Sequence, residues 1–144
     1  MDNYRYQLND ILSQQKFAVL NTVDGKIPYC NLVSYAITED LKTMGFVTKT
    51  NTRKYRNIRS NNNVSFLIDN RTNQPEDIKN AIAITLIGSA IEDHENDSML
   101  KRLLLSRHPF LTEFINEPDT AFVTVSIKEA IIAGFSFTQR IRIL

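Results

Sequence analysis

The stretch FAVLNTVDGKIPYCNLVSYAI, residues 17–37, constrains the chain more than any other. Two runs rich in β-branched and aromatic residues flank Asp24-Gly25, a dipeptide suited to a tight turn, and this reads as an antiparallel hairpin. A second turn around Glu39 and Asp40 leads into MGFVT. NVSFLID (63–69) and AIAITLIGSAIED (81–93) are further strands, and Gly88 in the second marks a bulge or a close backbone approach. TAFVTVSIKEAIIAGFSF supplies two closing strands. Strands joined by turns this short are antiparallel neighbours, and closing them into a barrel removes exposed edges.

Helical spacing interrupts this pattern in a few places. Leu8, Ile11 and Leu12 predict an amphipathic helix over 3–15 that caps one end of the sheet. A short helix over 53–60 has Thr52 as its N-cap and ends in Asn61, Asn62 and Asn63. Residues 94–107 put Met99, Leu100, Leu103 and Leu104 on one helical stripe, and a further turn of helix follows Pro109. RTNQPEDIKN is a loop. The fold class is therefore mainly β: a small β-barrel of six or seven mostly antiparallel strands with helical decorations, one domain over 1–144.

Lys and Arg number 17 against 16 Asp and Glu, so no global field draws the protein to nucleic acid or anionic lipid. MDNYRYQLNDILSQQ has neither the basic start nor the apolar run of a secretory signal, and no later run approaches the ~20 apolar residues of a membrane helix. The expectation is a cytoplasmic protein with no membrane partner. Cys30 lies in an apolar strand, which predicts a buried thiol.

Against this near-neutral background, Lys49, Arg53, Lys54, Arg56 and Arg59 fall within eleven residues. If a strand ends near Thr48 and a helix begins near Arg53, KTNT is the turn between them, and the free N–H groups of the helix start form a ready anion site. Arg53 offers a planar fork, Lys54 a mobile point charge, and Thr50 and Thr52 hydroxyl donors, a set that fits a phosphate dianion. The competing reading is a solvated helix face. Cations in a first turn oppose the helix macrodipole, by ~0.3–1 kcal/mol each, so an anionic partner would relieve a local conflict. Nucleic acid would call for aromatics beside the cations, and only Tyr55 lies there, so none is expected.

The run from Phe46 to Asp69, with strand, Thr-rich turn, Arg-Lys pair, short helix ending in Asn and apolar strand, resembles the flavin-binding segment of the pyridoxamine 5'-phosphate oxidase-like family of FMN-binding split β-barrels. The resemblance extends to the opening hairpin and to AITLIGSAIED with its following helix and HPF. It implies that Arg53 and Lys54 hold the FMN phosphate, that Val47 and Thr48 sit beside the ribityl chain with Lys49 and Thr50 close by, and that Asn31, Leu32, Val33 and Ser34 run along the isoalloxazine ring. It further implies a homodimer with the flavin at the subunit interface, and an FMN-dependent oxidoreductase acting on a small molecule. A non-catalytic flavin or haem carrier is the alternative.

Two departures separate the chain from authentic pyridoxamine phosphate oxidases. It has no Gln near Ala83, and no Trp with an Arg/His pair in its C-terminal FSFTQRIRIL, where Arg140 offers only a partial replacement. Vitamin B6 oxidation is therefore not expected. A flavin performs its own electron transfer, and no nucleophile, paired carboxylate or metal-ligand cluster stands out. His94 and His108 read as surface or capping residues, with His108 a remote candidate for an exposed haem ligand. Tyr29 and Tyr35 flank the proposed flavin strand and read first as barrel packing.

Overall fold

The computed structural model of the chain describes residues 2–95 and 98–143. Helix α1 (Asp2–Gln14) leads into the hairpin β1 (Phe17–Asp24) and β2 (Ile27–Ser34), closed by a two-residue turn in which Gly25 takes φ +61°, a conformation that favours glycine. After Tyr35 a two-residue strand β3 (Ala36–Ile37) pairs with β4 (Thr43–Lys49). Then follow α2 (Arg53–Ser60), β5 (Asn63–Asp69), the short α3 (Asp77–Asn80), β6 (Ala83–Asp93), α4 (Met99–Arg107), α5 (Leu111–Ile115), β7 (Thr120–Ala133) and β8 (Thr138–Arg142).

One antiparallel sheet contains all the strands, in the order β2-β1-β5-β6-β7-β4-β3, with β8 added to β7. Its two ends, β2 and β3, are consecutive pieces of chain separated only by Tyr35. That short segment curls the sheet back on itself, while β2 and β4 make no ladder with each other among the described residues. The result is a β-barrel, as the alternating runs predict, and a split one, as the family resemblance implies. Ala18, Leu20 and Thr22 of β1, Val64, Phe66 and Ile68 of β5 and Ile84 and Leu86 of β6 point inward at every second position, and the core fills with them. Leu8, Ile11 and Leu12 of α1 join this core, and the Tyr35 hydroxyl donates to the Leu12 carbonyl at 2.6 Å, which ties the helix to the hinge between β2 and β3. Burial pushes the Tyr35 phenol up to about 12 against the opposing pull of Arg107.

Gly88 fulfils both of its expected roles. The β6–β7 register shifts between Ile87 and Gly88, and a Cβ built at Gly88 would lie 2.3 Å from the Ser126 carbonyl oxygen.

Several expectations need correction. TAFVTVSIKEAIIA is one long strand; its first half pairs with β4 and its second with β8, and the change of partner falls at the bulge, so no turn is needed there. The second closing strand is TQRIR. RTNQPEDIKN contains α3. The predicted helix over 94–107 starts at Met99, and its residues 96 and 97 lie outside the described residues. Of its apolar stripe, Leu100 and Leu104 are buried, whereas Met99 is 77% exposed and Leu103 lies at the surface. Cys30 is exposed, because it alternates onto the outer face of β2, which the single chain leaves uncovered.

Candidate functional site

The turn between β4 and α2 is built by hydroxyls. Thr48 is buried with its Oγ1 3.1 Å from Thr52 Oγ1, and Thr52 donates to the Lys49 carbonyl at 2.8 Å and accepts from the Tyr55 N–H at 3.3 Å. Thr52 is thus the N-cap that the sequence predicts, in extended backbone conformation. The Thr50 N–H is taken by the Asp119 carbonyl at 2.9 Å.

The five clustered cations separate into two groups. Lys49 contacts Glu117, Asp119 at 2.8 Å and Thr120 at 3.0 Å, and lies over the Phe114 ring; the Asp119 and Glu117 hydrogen bonds raise its pKa. Arg56 donates to the Asn51 carbonyl at 3.3 Å. Arg59 donates to the Tyr55 hydroxyl at 3.2 Å, which in turn donates to Glu92. Those three have partners within the chain. Arg53 is held more loosely: its Nη2 meets Asp24 Oδ2 at 3.2 Å, and its guanidinium carbon lies 4.4 Å from the centre of the Tyr29 ring. Lys54 is half-buried and has no hydrogen bond or ion pair among the described residues. Desolvation lowers its pKa.

The hairpin tip and the start of α2 are therefore locked together. One helical turn beyond Arg53, the buried Asn57 donates its Nδ2 to Thr22 at 3.0 Å, and Thr22 is the cross-strand partner of Tyr29. On β2, Tyr29, Asn31 and Val33 share one face, so a line of side chains runs from Arg53 along the strand, with ~7 Å between successive members. Val33 is buried in the core, and Asn31 is half-buried with its Oδ1 buried and unpaired. Leu32 points to the opposite face and is 64% exposed; Ser34 is half-buried. Val47 packs outward against Leu100, Leu104 and Phe122. The structure thus brings Arg53 together with β2 through Tyr29, leaves Lys54 half-buried beside it in the chain, and commits Thr48 and Lys49 to the turn and its acidic neighbours.

The other singled-out residues have clear positions. His108 is buried, not exposed: its Nε2 lies 2.8 Å from the Tyr35 carbonyl, and burial lowers its pKa. His94 is at the surface, 3.3 Å from Glu92, on the rim of an open cleft of about 450 Å³ that Ile58, Ala90 and Ile91 also line. Arg140 pairs with Glu129 at 2.6 Å. Sequence reasoning missed Asp24 as a partner of Arg53 and the Glu117–Asp119 clamp on Lys49; only the Asp-Gly turn signal pointed to Asp24.

The chain is thus a split barrel with two cations at a hydroxyl-capped helix start, one of them against the opening hairpin. The sequence profile described as pyridoxamine 5'-phosphate oxidase matches residues 5–131, and the chain belongs to that family. No curated protein matches it. Among solved structures it is similar to a protein of the pyridoxinephosphate oxidase family related to general stress protein 26, from Clostridium acetobutylicum (TM-score 0.76, 15% identity, covering 99% of this chain and 96% of that one). It is similar also to a heme-binding protein from Mycobacterium smegmatis (0.85, 13%, 96% and 57%) and to HutZ, the heme storage protein from Vibrio cholerae (0.68, 13%, 85% and 88%). At these identities the likeness is one of fold. The chain spans little more than half the length of the mycobacterial protein.

Proposed function

We propose that the protein binds flavin mononucleotide through its phosphate and acts, as a homodimer, as an oxidoreductase on a small molecule. The observation that carries this reading is Lys54, an ammonium drawn partly out of water with no carboxylate to meet it among the described residues, next in the chain to the Arg53 fork at the start of α2. Removing a charge from water without a partner is costly, and a phosphate dianion would offset that cost while accepting from the unpaired N–H groups of the first turn. The orphaned Oδ1 of Asn31 on the same flank is a second fit, since it accepts any N–H donor on the ligand.

In this reading Arg53 and Lys54 hold the phosphate, the backbone of Val47, Thr48, Lys49 and Thr50 flanks the ribityl chain, and the backbone of Asn31, Leu32, Val33 and Ser34 runs along the ring, because the side chains of these two stretches alternate between opposite faces. The flavin supplies hydride and electron transfer when bound. The chain's own residues bind it, orient it and keep water from it. Vitamin B6 compounds are not the substrate in this reading, because Ala83 stands near where those oxidases have Gln, and Arg140 is engaged by Glu129.

A haem carrier is the second reading, favoured by the fold shared with two haem proteins. Here the available imidazole is His94 beside its cleft, since the Nε2 of His108 is engaged. The visible spectrum of the purified protein separates the two. Flavin bands that disappear in the Arg53→Ala/Lys54→Ala double variant support the first reading, and a colourless protein that takes up no added FMN contradicts it. An intense haem band on adding haemin, lost in His94→Ala, supports the second.

A further inference from the structure

We propose that Asp24 tunes the affinity of the phosphate site: it is a built-in carboxylate that occupies the Arg53 fork until a phosphate displaces it. This rests on the phosphate reading above.

Lys49 is neutralised by Glu117 and Asp119, and Arg56 reaches back to the Asn51 carbonyl, so the charge that faces Asp24 at the start of α2 is Arg53. The Arg53–Asp24 contact is a single-donor one at 3.2 Å between two largely exposed side chains, a geometry that gives way readily to a stronger acceptor. It uses one of five guanidinium donors, so the fork that suits a phosphate is present but partly occupied. When Asp24 lets go, the guanidinium keeps its place, because the Tyr29 ring lies 4.4 Å from it and belongs to the other strand of the same hairpin. Asp24 ends β1 directly before Gly25, so its carboxylate is fixed to the tight turn rather than to a mobile loop.

An anion entering the Arg53 fork must first displace Asp24, so the carboxylate weakens the binding of every anion there. Asp24 thereby sets how tightly the site holds a phosphate and keeps the bound phosphate exchangeable.

The test titrates FMN, riboflavin and inorganic phosphate separately into the wild type, Asp24→Asn and Asp24→Ser at low salt. Removing one fixed negative charge ~6 Å from the phosphate should tighten FMN and phosphate by about 3- to 30-fold in both variants. Riboflavin, which lacks the phosphate, should bind as before, and the difference should shrink in 0.5 M salt, where the Debye length falls to a few ångströms. FMN and phosphate binding that is unchanged or weaker in both variants overturns the proposal and makes Asp24 a positioning residue or a bystander. A wild type that ignores FMN, with phosphate binding still tightened in the variants, overturns the flavin reading and leaves the role of Asp24 standing.

Discussion

Lys54 and His108 are both drawn partly out of water, with opposite consequences. Lys54 has no side-chain partner among the described residues, whereas His108 is closed into the fold by the Tyr35 carbonyl. Because burial holds the folded pKa of His108 below its ordinary 6.5, the unfolded chain binds the proton more readily. The stability that neutral His108 contributes is complete above pH 6.5 and is lost as the pH falls from there toward the lower folded value. Urea midpoints measured between pH 8 and 5 should decline in the wild type more than in His108→Gln, and equal slopes would contradict this. At this scale the legible residues were those whose role is local: Thr52 caps the helix three residues ahead, and Arg53 and Lys54 follow it directly. The partners that sort the cations were not legible. Asp24 lies 29 residues from Arg53 and Glu117 lies 68 from Lys49, separations that only the folded sheet brings to contact distance.

Between elements, the bulge at Gly88 decides how β6 passes β7. With the Ser126 carbonyl oxygen 2.3 Å and Val125 Cγ1 2.9 Å from where a Cβ would stand, Gly88→Ala must push backbone rather than a flexible side-chain tip. A loss of about 3 kcal/mol, read from urea unfolding, is expected, and a variant as stable as the wild type would show that β7 does not approach there. Gly88 was visible in the sequence as an oddity within an apolar strand. The course of β7 was not, since nothing in SIKEA distinguishes a partner change at a bulge from a turn between two strands. The stripe on α4 failed for a related reason: a nine-residue helix lying on a barrel buries only the narrow side carrying Leu100 and Leu104.

At the level of the molecule, the outer surface of the sheet carries a row running from Leu32 through Val19, Leu67 and Thr85 to Ile131, with Phe17 57% exposed beside it. Of these residues Leu32 and Phe17 are exposed and the rest half-buried, and the exposed apolar pair fits the proposed pairing of two copies. Sedimentation should give twice the 16.5 kDa chain mass for the wild type and one chain mass for Leu32→Asp, and a monomeric wild type would contradict the pairing. The barrel class itself was legible because alternation, turn signals and short connections all agree. The seam was not, because β2 and β3 read as one run and part only at Tyr35. No helix among the described residues is long and apolar enough to cross a membrane. The central claim is that a phosphate, held by Arg53 and Lys54, is what the site recognises. Parallel calorimetric titrations with FMN and riboflavin test it most directly. Two charge-assisted contacts predict at least ~100-fold tighter binding of FMN by the wild type, and equal affinity for the two in the Arg53→Ala/Lys54→Ala variant. Equal binding of FMN and riboflavin by the wild type would contradict it.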